Sequence, residues 1–195
     1  MMDTLLQIDR QLFRFLNQGL SNPLFDLILP FITDLNRKPV ALVAVVLLWL
    51  LLLAKGGVRG RLAAILLIPT IVLSDQLNSF WLKFIVERVR PCHELLDVRL
   101  LVGCGSGYSF PSSHAVNNFA AALLLSYFLP RWTWAFFTFA GIVAFSRVYV
   151  GVHYPSDVVA GAIVGMAIAG VVIVLFEVVE SWWIRRQAST IRKAS

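Results

Sequence analysis

Charge is what this chain has least of. Only 14% of its 195 residues are Asp, Glu, Lys or Arg, and 58% are hydrophobic; an average soluble domain has roughly a quarter charged. The shortage is concentrated. Residues 39–54, 62–74, 115–130, 132–146 and 158–176 carry no charge at all. With their flanks these runs approach or reach the roughly 17–25 residues that a membrane-spanning helix needs. Five of them leave too little polar surface to cover a soluble core. The expected architecture is therefore all-α, a polytopic transmembrane helix bundle with at least five spans.

Other features are missing too. The N-terminal stretch MMDTLLQIDRQLFRFLNQ has no basic start followed by an apolar core, so it is not expected to be a cleaved signal peptide. Its Leu5, Ile8, Leu12, Phe15 and Leu16 follow a helical period instead, which suits a helix lying in the interface plane. Residues 22–36 are apolar but carry Asp26, Pro30 and Asp34, and read either as a short sixth span or as a second interfacial segment. No repeat, low-complexity tract or soluble second domain is visible. The expectation is one integral membrane domain over residues 1–195. Within it, 1–36 are interfacial or partly inserted, 37–184 form the bundle with its active site, and 185–195 form a basic cytoplasmic tail.

Cysteine is scarce: Cys92 and Cys104 both lie in the polar stretch from about 84 to 111. In an oxidising compartment a disulfide would close that loop, and two free thiols are the alternative. Carboxylates are scarce there as well. Besides Asp157, the polar loops hold only Glu87, Glu94 and Asp97, in no metal-like spacing.

What is present is an excess of positive charge, +6 net. In a soluble protein it would point to nucleic acid. Here the basic residues flank the apolar runs, so topology is the better reading and no nucleic-acid partner is expected. Lys55, Arg59 and Arg61, then Arg131, then Arg185, Arg186, Arg192 and Lys193 fall on one side of a five-span bundle. The positive-inside rule makes that side, and the C-terminus, cytoplasmic. Residues 84–111 and 147–157 then share the opposite, periplasmic or extracellular face of a cell membrane.

Three clusters on that face carry chemistry. Lys83 and Arg90 are seven apart, almost two helical turns, so both would project from one face, with Pro91 ending the helix. Two such cations make an anion site, although snorkelling to lipid headgroups explains them equally simply. Pro111, Ser112, Ser113 and His114 open a helix whose first-turn N–H groups and dipole attract anions. The bland alternative is a capped helix with an interfacial histidine. Arg147 offers a fork for two phosphate oxygens. His153 and Asp157 are four apart, so the carboxylate can accept from one imidazole nitrogen and leave the other free to attack or to take a proton. A surface ion pair beside a helix start is the alternative there.

Together the clusters supply three cations, two histidines, an orienting carboxylate and a helix N-terminus. That set fits displacement at phosphorus. Three cations would repel a metal ion, so no metal and no other cofactor is expected. Lys83-x6-Arg90-Pro91, Pro111-Ser112-x-His114 and Ser146-Arg147-x5-His153-x3-Asp157 resemble, in order and spacing, the three-part signature of the type 2 phosphatidic acid phosphatase and vanadium haloperoxidase superfamily. One position departs from it: Ser113 stands where the family usually has glycine.

The resemblance implies that His153 is the nucleophile, oriented by Asp157, and that His114 protonates the leaving group. It also implies that Lys83, Arg90, Ser112 and Arg147 bind phosphoryl oxygens with help from the Ser113 N–H. The implied partners are the bilayer and a membrane lipid phosphate. Within the family, compact size favours undecaprenyl diphosphate. Phosphatidic acid, phosphatidylglycerol phosphate and lipid A are the alternatives, and transfer to another lipid would use the same residues. Asp75 and Asn78, polar at membrane depth, either line the path by which a lipid reaches the site or pair with each other. A soluble-type haloperoxidase conflicts with the spans, and a non-catalytic transporter or scaffold conflicts with the intact His/His/Asp set.

Overall fold

The computed structural model of the chain describes residues 2–194, with side chains for residues 4–35 and 37–189, so Arg192 and Lys193 of the expected tail lie outside the described side chains. Helix α1 (Met2–Arg14) continues as a π turn (Phe15–Gly19). It is followed by α2 (Pro23–Thr33), a 3-10 turn (Leu35–Arg37) and α3 (Pro39–Lys55). Helix α4 (Gly57–Leu77) is prolonged by a second π turn (Asn78–Leu82) and by α5 (Lys83–Val86). Then come α6 (Pro91–Glu94), α7 (Ser113–Phe128), α8 (Thr133–Tyr149) and α9 (Pro155–Ala194). No strand occurs among the described residues. Proline opens α2, α3 and α6, where its missing N–H costs nothing.

The stretches Gly57–Glu94 and Pro155–Ser189 are long and apolar enough to cross a membrane. Helices α3, α7 and α8 have 17, 16 and 17 residues. At 1.5 Å per residue that is about 24–26 Å, slightly short of a ~30 Å hydrocarbon core. The outer surface is apolar in the way a bilayer requires. Helix α3 buries no residue, and Val159, Ile163, Val171 and Val174 form an exposed ridge along α9.

Helix α7 lies at the centre, against α9, α8 and α4. Its contact with α9 depends on two glycines four apart. A Cβ on Gly161 would stand 2.8 Å from the Ser112 carbonyl oxygen, and one on Gly165 2.1 Å from that of Val116. These small residues let the backbones touch. The buried ridge they belong to runs Asp157, Gly161, Gly165, Ala169, one residue per turn, so it sets the start of α9 directly beside the start of α7.

The N-terminal elements cap the end of the bundle that carries 147–157. Leu5, Ile8, Leu12 and Phe15 of α1 are exposed, as an interfacial apolar stripe would be, whereas Leu16 turns inward with Phe13 onto Val148 and Tyr154. Both halves of α2 pack on that same end of α8. Phe25 meets Phe145 and Tyr149 edge-on, Tyr149 Oη donates to Asp26 at 2.6 Å, and Arg147 Nη1 donates to Thr33 Oγ1 at 2.7 Å. This packing fixes α2 against the 147–157 end of α8.

Candidate active site

The first cluster is assembled differently from what its spacing predicts. Glu87 adopts a left-handed conformation (φ 50°) that stops the helix after Val86, so Lys83 and Arg90 do not share a helix face. Arg90 is extended (φ −73°, ψ 151°), as sterics before Pro91 demand. The two cations meet instead on the backbone of one loop. Lys83 Nζ donates to the Tyr108 carbonyl at 3.0 Å, and Arg90 Nε donates to that of Gly107 at 2.7 Å. Arg90 Nη1 donates to the Val152 carbonyl and stands 3.1 Å from His153 Nε2.

That contact bears on the tautomer of His153. A guanidinium has only donors, so the Nε2 facing it is the acceptor, and the proton belongs on Nδ1. Nδ1 lies 3.4 Å from Asp157 Oδ2, near but not in an aligned hydrogen bond. His153 is 2% exposed and Asp157 is fully buried. Burial pushes the His153 pKa down to about 4; Asp157 opposes the shift, while Arg90 and Arg147 reinforce it. A neutral imidazole of this tautomer keeps one lone pair, on Nε2, and here it accepts from Arg90 Nη1.

Asp157 is itself held on every side. Oδ2 accepts from the Tyr154 N–H at 2.8 Å and from Ser109 Oγ, and Oδ1 accepts from Arg88 Nη1 at 2.8 Å. The Tyr154 contact is half of a capping box, in which the third residue of a helix reaches back to its N-cap N–H. The Asp157 carbonyl in turn accepts from the Ser112 N–H at 3.1 Å, tying α9 to α7.

The start of α7 faces this group. Ser112 is the N-cap residue by position, yet its hydroxyl makes no cap bond. Among the described residues Ser112 Oγ, His114 Nε2 and Arg147 Nε have no protein partner, although all three atoms are buried. With the free N–H groups of the first turn of α7, they are the donors an anion would use. Lys83, Arg147 and His153 all lie within electrostatic reach of His114. Ser113 spends its hydroxyl elsewhere, accepting from Asn78 Nδ2 at 2.8 Å. Asp75 accepts from Asn117 Nδ2 at 3.1 Å. Asp75 and Asn78 thus pair with α7, not with each other. A cavity of about 400 Å³ adjoins Lys83, lined also by Ser79, Phe84, Ser106, Gly107 and Tyr108.

Cys92 and Cys104 are joined in a disulfide, their Cα atoms 6.2 Å apart. With His93 they are the one group among the described residues whose ligand atoms could gather round a metal ion, and the disulfide occupies both sulfurs.

Three residues of this site do not emerge from the sequence reading: Arg88, Ser109 and Asp9. Arg88 sits in ERVRP beside Arg90, so a third cation was visible, but nothing in the chain announces its carboxylate partners. Ser109 precedes the Phe110-Pro111 pair without any motif of its own. Asp9 belongs to α1, 147 residues from the Ser156 it contacts.

A buried imidazole with an orienting carboxylate, ringed by cations at the end of a membrane helix bundle, defines a class: the chain is a membrane phosphatase. Residues 62–180 match the PAP2 superfamily, and the chain belongs to that family. It is 33% identical to the lipid A 4'-phosphatase of Bacteroides thetaiotaomicron, over 85% of this chain and 75% of that one. It is 35% identical to the undecaprenyl-diphosphatase of Sulfolobus acidocaldarius, over 55% and 52%. Among solved structures it resembles Aquifex aeolicus LpxE (TM-score 0.70, 26% identity, 85% of this chain and 94% of that one). It also resembles the PAP2-type phosphatidylglycerolphosphate phosphatase of Bacillus subtilis (TM-score 0.65, 25% identity, 89% and 87%).

Proposed function

We propose that the chain hydrolyses a phosphate ester or anhydride of a membrane lipid through a phosphohistidine, without a metal. The observation that carries this reading is the buried neutral His153, its Nε2 lone pair beside Arg90 and its Nδ1 toward Asp157. In the first step Nε2 attacks phosphorus, the P–O bond to the lipid breaks, and His114, as the imidazolium it becomes beside the bound phosphate anion, gives its proton to the departing oxygen. Arg90 moves from Nε2 to a phosphoryl oxygen as the N–P bond forms. Lys83, Arg147, Ser112 and the Ser113 N–H hold the remaining oxygens, where negative charge builds. In the second step water attacks the phosphohistidine, His114 takes the water proton, and inorganic phosphate leaves with His153 restored. Three cations and no clustered carboxylates at the reacting centre make a place for an anion, not for a metal ion.

For the substrate, lipid A 4'-phosphatases from two organisms align over 85% and 94% of this chain, against 55% for the undecaprenyl-diphosphatase. That breadth supports a phosphate ester of a lipid A type glycolipid. Undecaprenyl diphosphate is the second reading, supported by the 35% identity within the shorter alignment and by the compact chain. In either case the lipid reaches a site at the membrane surface with its tails still in the bilayer. We further propose a single domain of five spans, its active site on the periplasmic or extracellular face of the cell membrane and its C-terminus in the cytoplasm.

Purified protein should release phosphate in EDTA from one member of a panel of lipid A, farnesyl diphosphate, phosphatidic acid and phosphatidylglycerol phosphate. A strict metal requirement would overturn the mechanism. A preference for farnesyl diphosphate over lipid A would select the second substrate reading.

A further inference from the structure

Asp9 lies outside the residues that match the family, on an N-terminal helix whose apolar stripe is exposed. Its carboxylate is nevertheless among the most engaged groups at the site. Oδ1 accepts from the Ser156 N–H at 2.9 Å, and Oδ2 accepts from Ser156 Oγ at 2.5 Å and from Arg88 Nη2 at 2.7 Å. Ser156 is the second residue of α9, so Asp9 satisfies a first-turn N–H of the helix that carries Asp157, as an N-cap side chain does, but from another helix.

Arg88 completes the chain of contacts. Its Nη1 donates to Asp157 Oδ1 and to Ser156 Oγ, its Nη2 to Asp9, and its guanidinium carbon lies 3.9 Å over the Tyr154 ring. Tyr154 is fixed in turn by Phe13 against its edge and by Glu94, which accepts from its hydroxyl at 2.6 Å and pairs with Arg10. Arg10 and Phe13 are again residues of α1. The two oxygens of Asp157 thus have separate partners: Arg88 holds Oδ1, and Oδ2 faces His153 while it accepts from the Tyr154 N–H and Ser109 Oγ.

We propose that Asp9 is a positioning residue for the phosphatase: acting through Arg88 and Ser156, it holds Asp157 so that Oδ2 points at His153 Nδ1. The proposal rests on the reading of His153 as nucleophile. Without Asp9, Arg88 keeps one carboxylate partner instead of two and is free to close as a fork on both oxygens of Asp157, drawing the carboxylate off the imidazole. The phosphate-binding groups stay where they are, because none of them touches Asp9. Losing an orienting carboxylate can cost far more, but Asp9 acts at one remove, so kcat should fall by about tenfold.

The experiment compares Asp9→Asn, Asp9→Glu, Arg88→Gln, the double variant Asp9→Asn/Arg88→Gln and His153→Ala in detergent micelles. Each is assayed on the best substrate of the panel, with inorganic phosphate as competitive inhibitor. Expected for Asp9→Asn is a kcat about tenfold down with KM and the phosphate Ki within about twofold of wild type. Asp9→Glu, which keeps the charge on a longer arm, should run at about half of the wild-type kcat, and the double variant should be no slower than Arg88→Gln alone. The proposal fails if Asp9→Asn keeps full kcat, if its Ki rises as much as kcat falls, or if the two losses multiply. Should Asp9→Asn not fold, Asp9→Glu decides: a kcat about twofold down at unchanged Ki supports positioning, and an unchanged kcat refutes it. An active His153→Ala would sink the underlying site reading, whereas an inactive one beside a fully active Asp9→Asn sinks only the role of Asp9.

Discussion

His153 and Asp157 differ in what their removal should do. His153 makes no ion pair other than its 3.4 Å approach to Asp157, so His153→Ala removes the proposed nucleophile and leaves the charges of the site matched. We expect turnover to drop by at least about a thousandfold while the solubilised protein keeps its elution profile and melting temperature within a few degrees. Asp157 is buried between Arg88, Ser109 and the Tyr154 N–H. Asp157→Asn leaves Arg88 with Asp9 alone and sets an amide against the donors Tyr154 N–H and Ser109 Oγ, and leaving buried polar groups mispaired costs about 1–3 kcal/mol. That variant should lose both activity and thermal stability, and equal melting temperatures for the two variants would contradict this division. Ser113 makes a third case. Its hydroxyl serves Asn78, whereas catalysis would draw on its backbone N–H. Ser113→Gly, which restores the residue usual in the family, should therefore retain kcat within about twofold and lose about 1 kcal/mol of stability, read as a lower melting temperature.

At the scale of elements, the stretch from Pro91 to Ser112 is a plate closed by one covalent link. The disulfide joins α6 to Cys104, three residues before the Gly107 carbonyl that receives Arg90 Nε. Closing a loop of this size contributes about 3 kcal/mol. Reduction, or the Cys92→Ser/Cys104→Ser double variant, should lower the melting temperature. It should also raise KM more than it lowers kcat, because Arg90 and Lys83 both rest on the 107–108 backbone while the His153–Asp157 pair does not. A proportional fall in kcat at constant KM would show that the plate serves the nucleophile instead. Helix α1 shows why a period in the sequence is an incomplete guide. Its apolar stripe was legible, but the side that packs on the candidate site is the other one, where Asp9 and Phe13 turn inward, as does Asn17 in the following π turn.

For the whole molecule, the arrangement of basic residues and the packing of α1 and α2 agree on one topology. The N-terminal elements, the 84–111 loop and the 147–157 turn share one face, and Lys55, Arg59, Arg61 and Arg131 fall on the other. A membrane-impermeant maleimide applied to intact cells after reduction should therefore label Cys92 and Cys104. It should leave a cysteine introduced at Val58, in a background with both native cysteines replaced by serine, unlabelled until the cells are opened. Labelling of the Val58 position from outside would invert the proposed orientation.

Composition and spacing determined the helical class, the membrane setting and most of the site. Apolar runs of span length can be satisfied only by helices in a bilayer, and Ser112 with His114, and His153 with Asp157, stand at intervals that local backbone geometry preserves. Tertiary structure decided the rest. The seating of α2 on the end of α8 depended on Tyr149 and Arg147 taking partners in it. The route from Lys83 to Arg90 depended on a left-handed Glu87 that no motif marks. The grip of Asp9 on Arg88 joins segments far apart in the chain, and such pairings leave no periodic trace in a sequence, because only the packed bundle brings their side chains within hydrogen-bond distance.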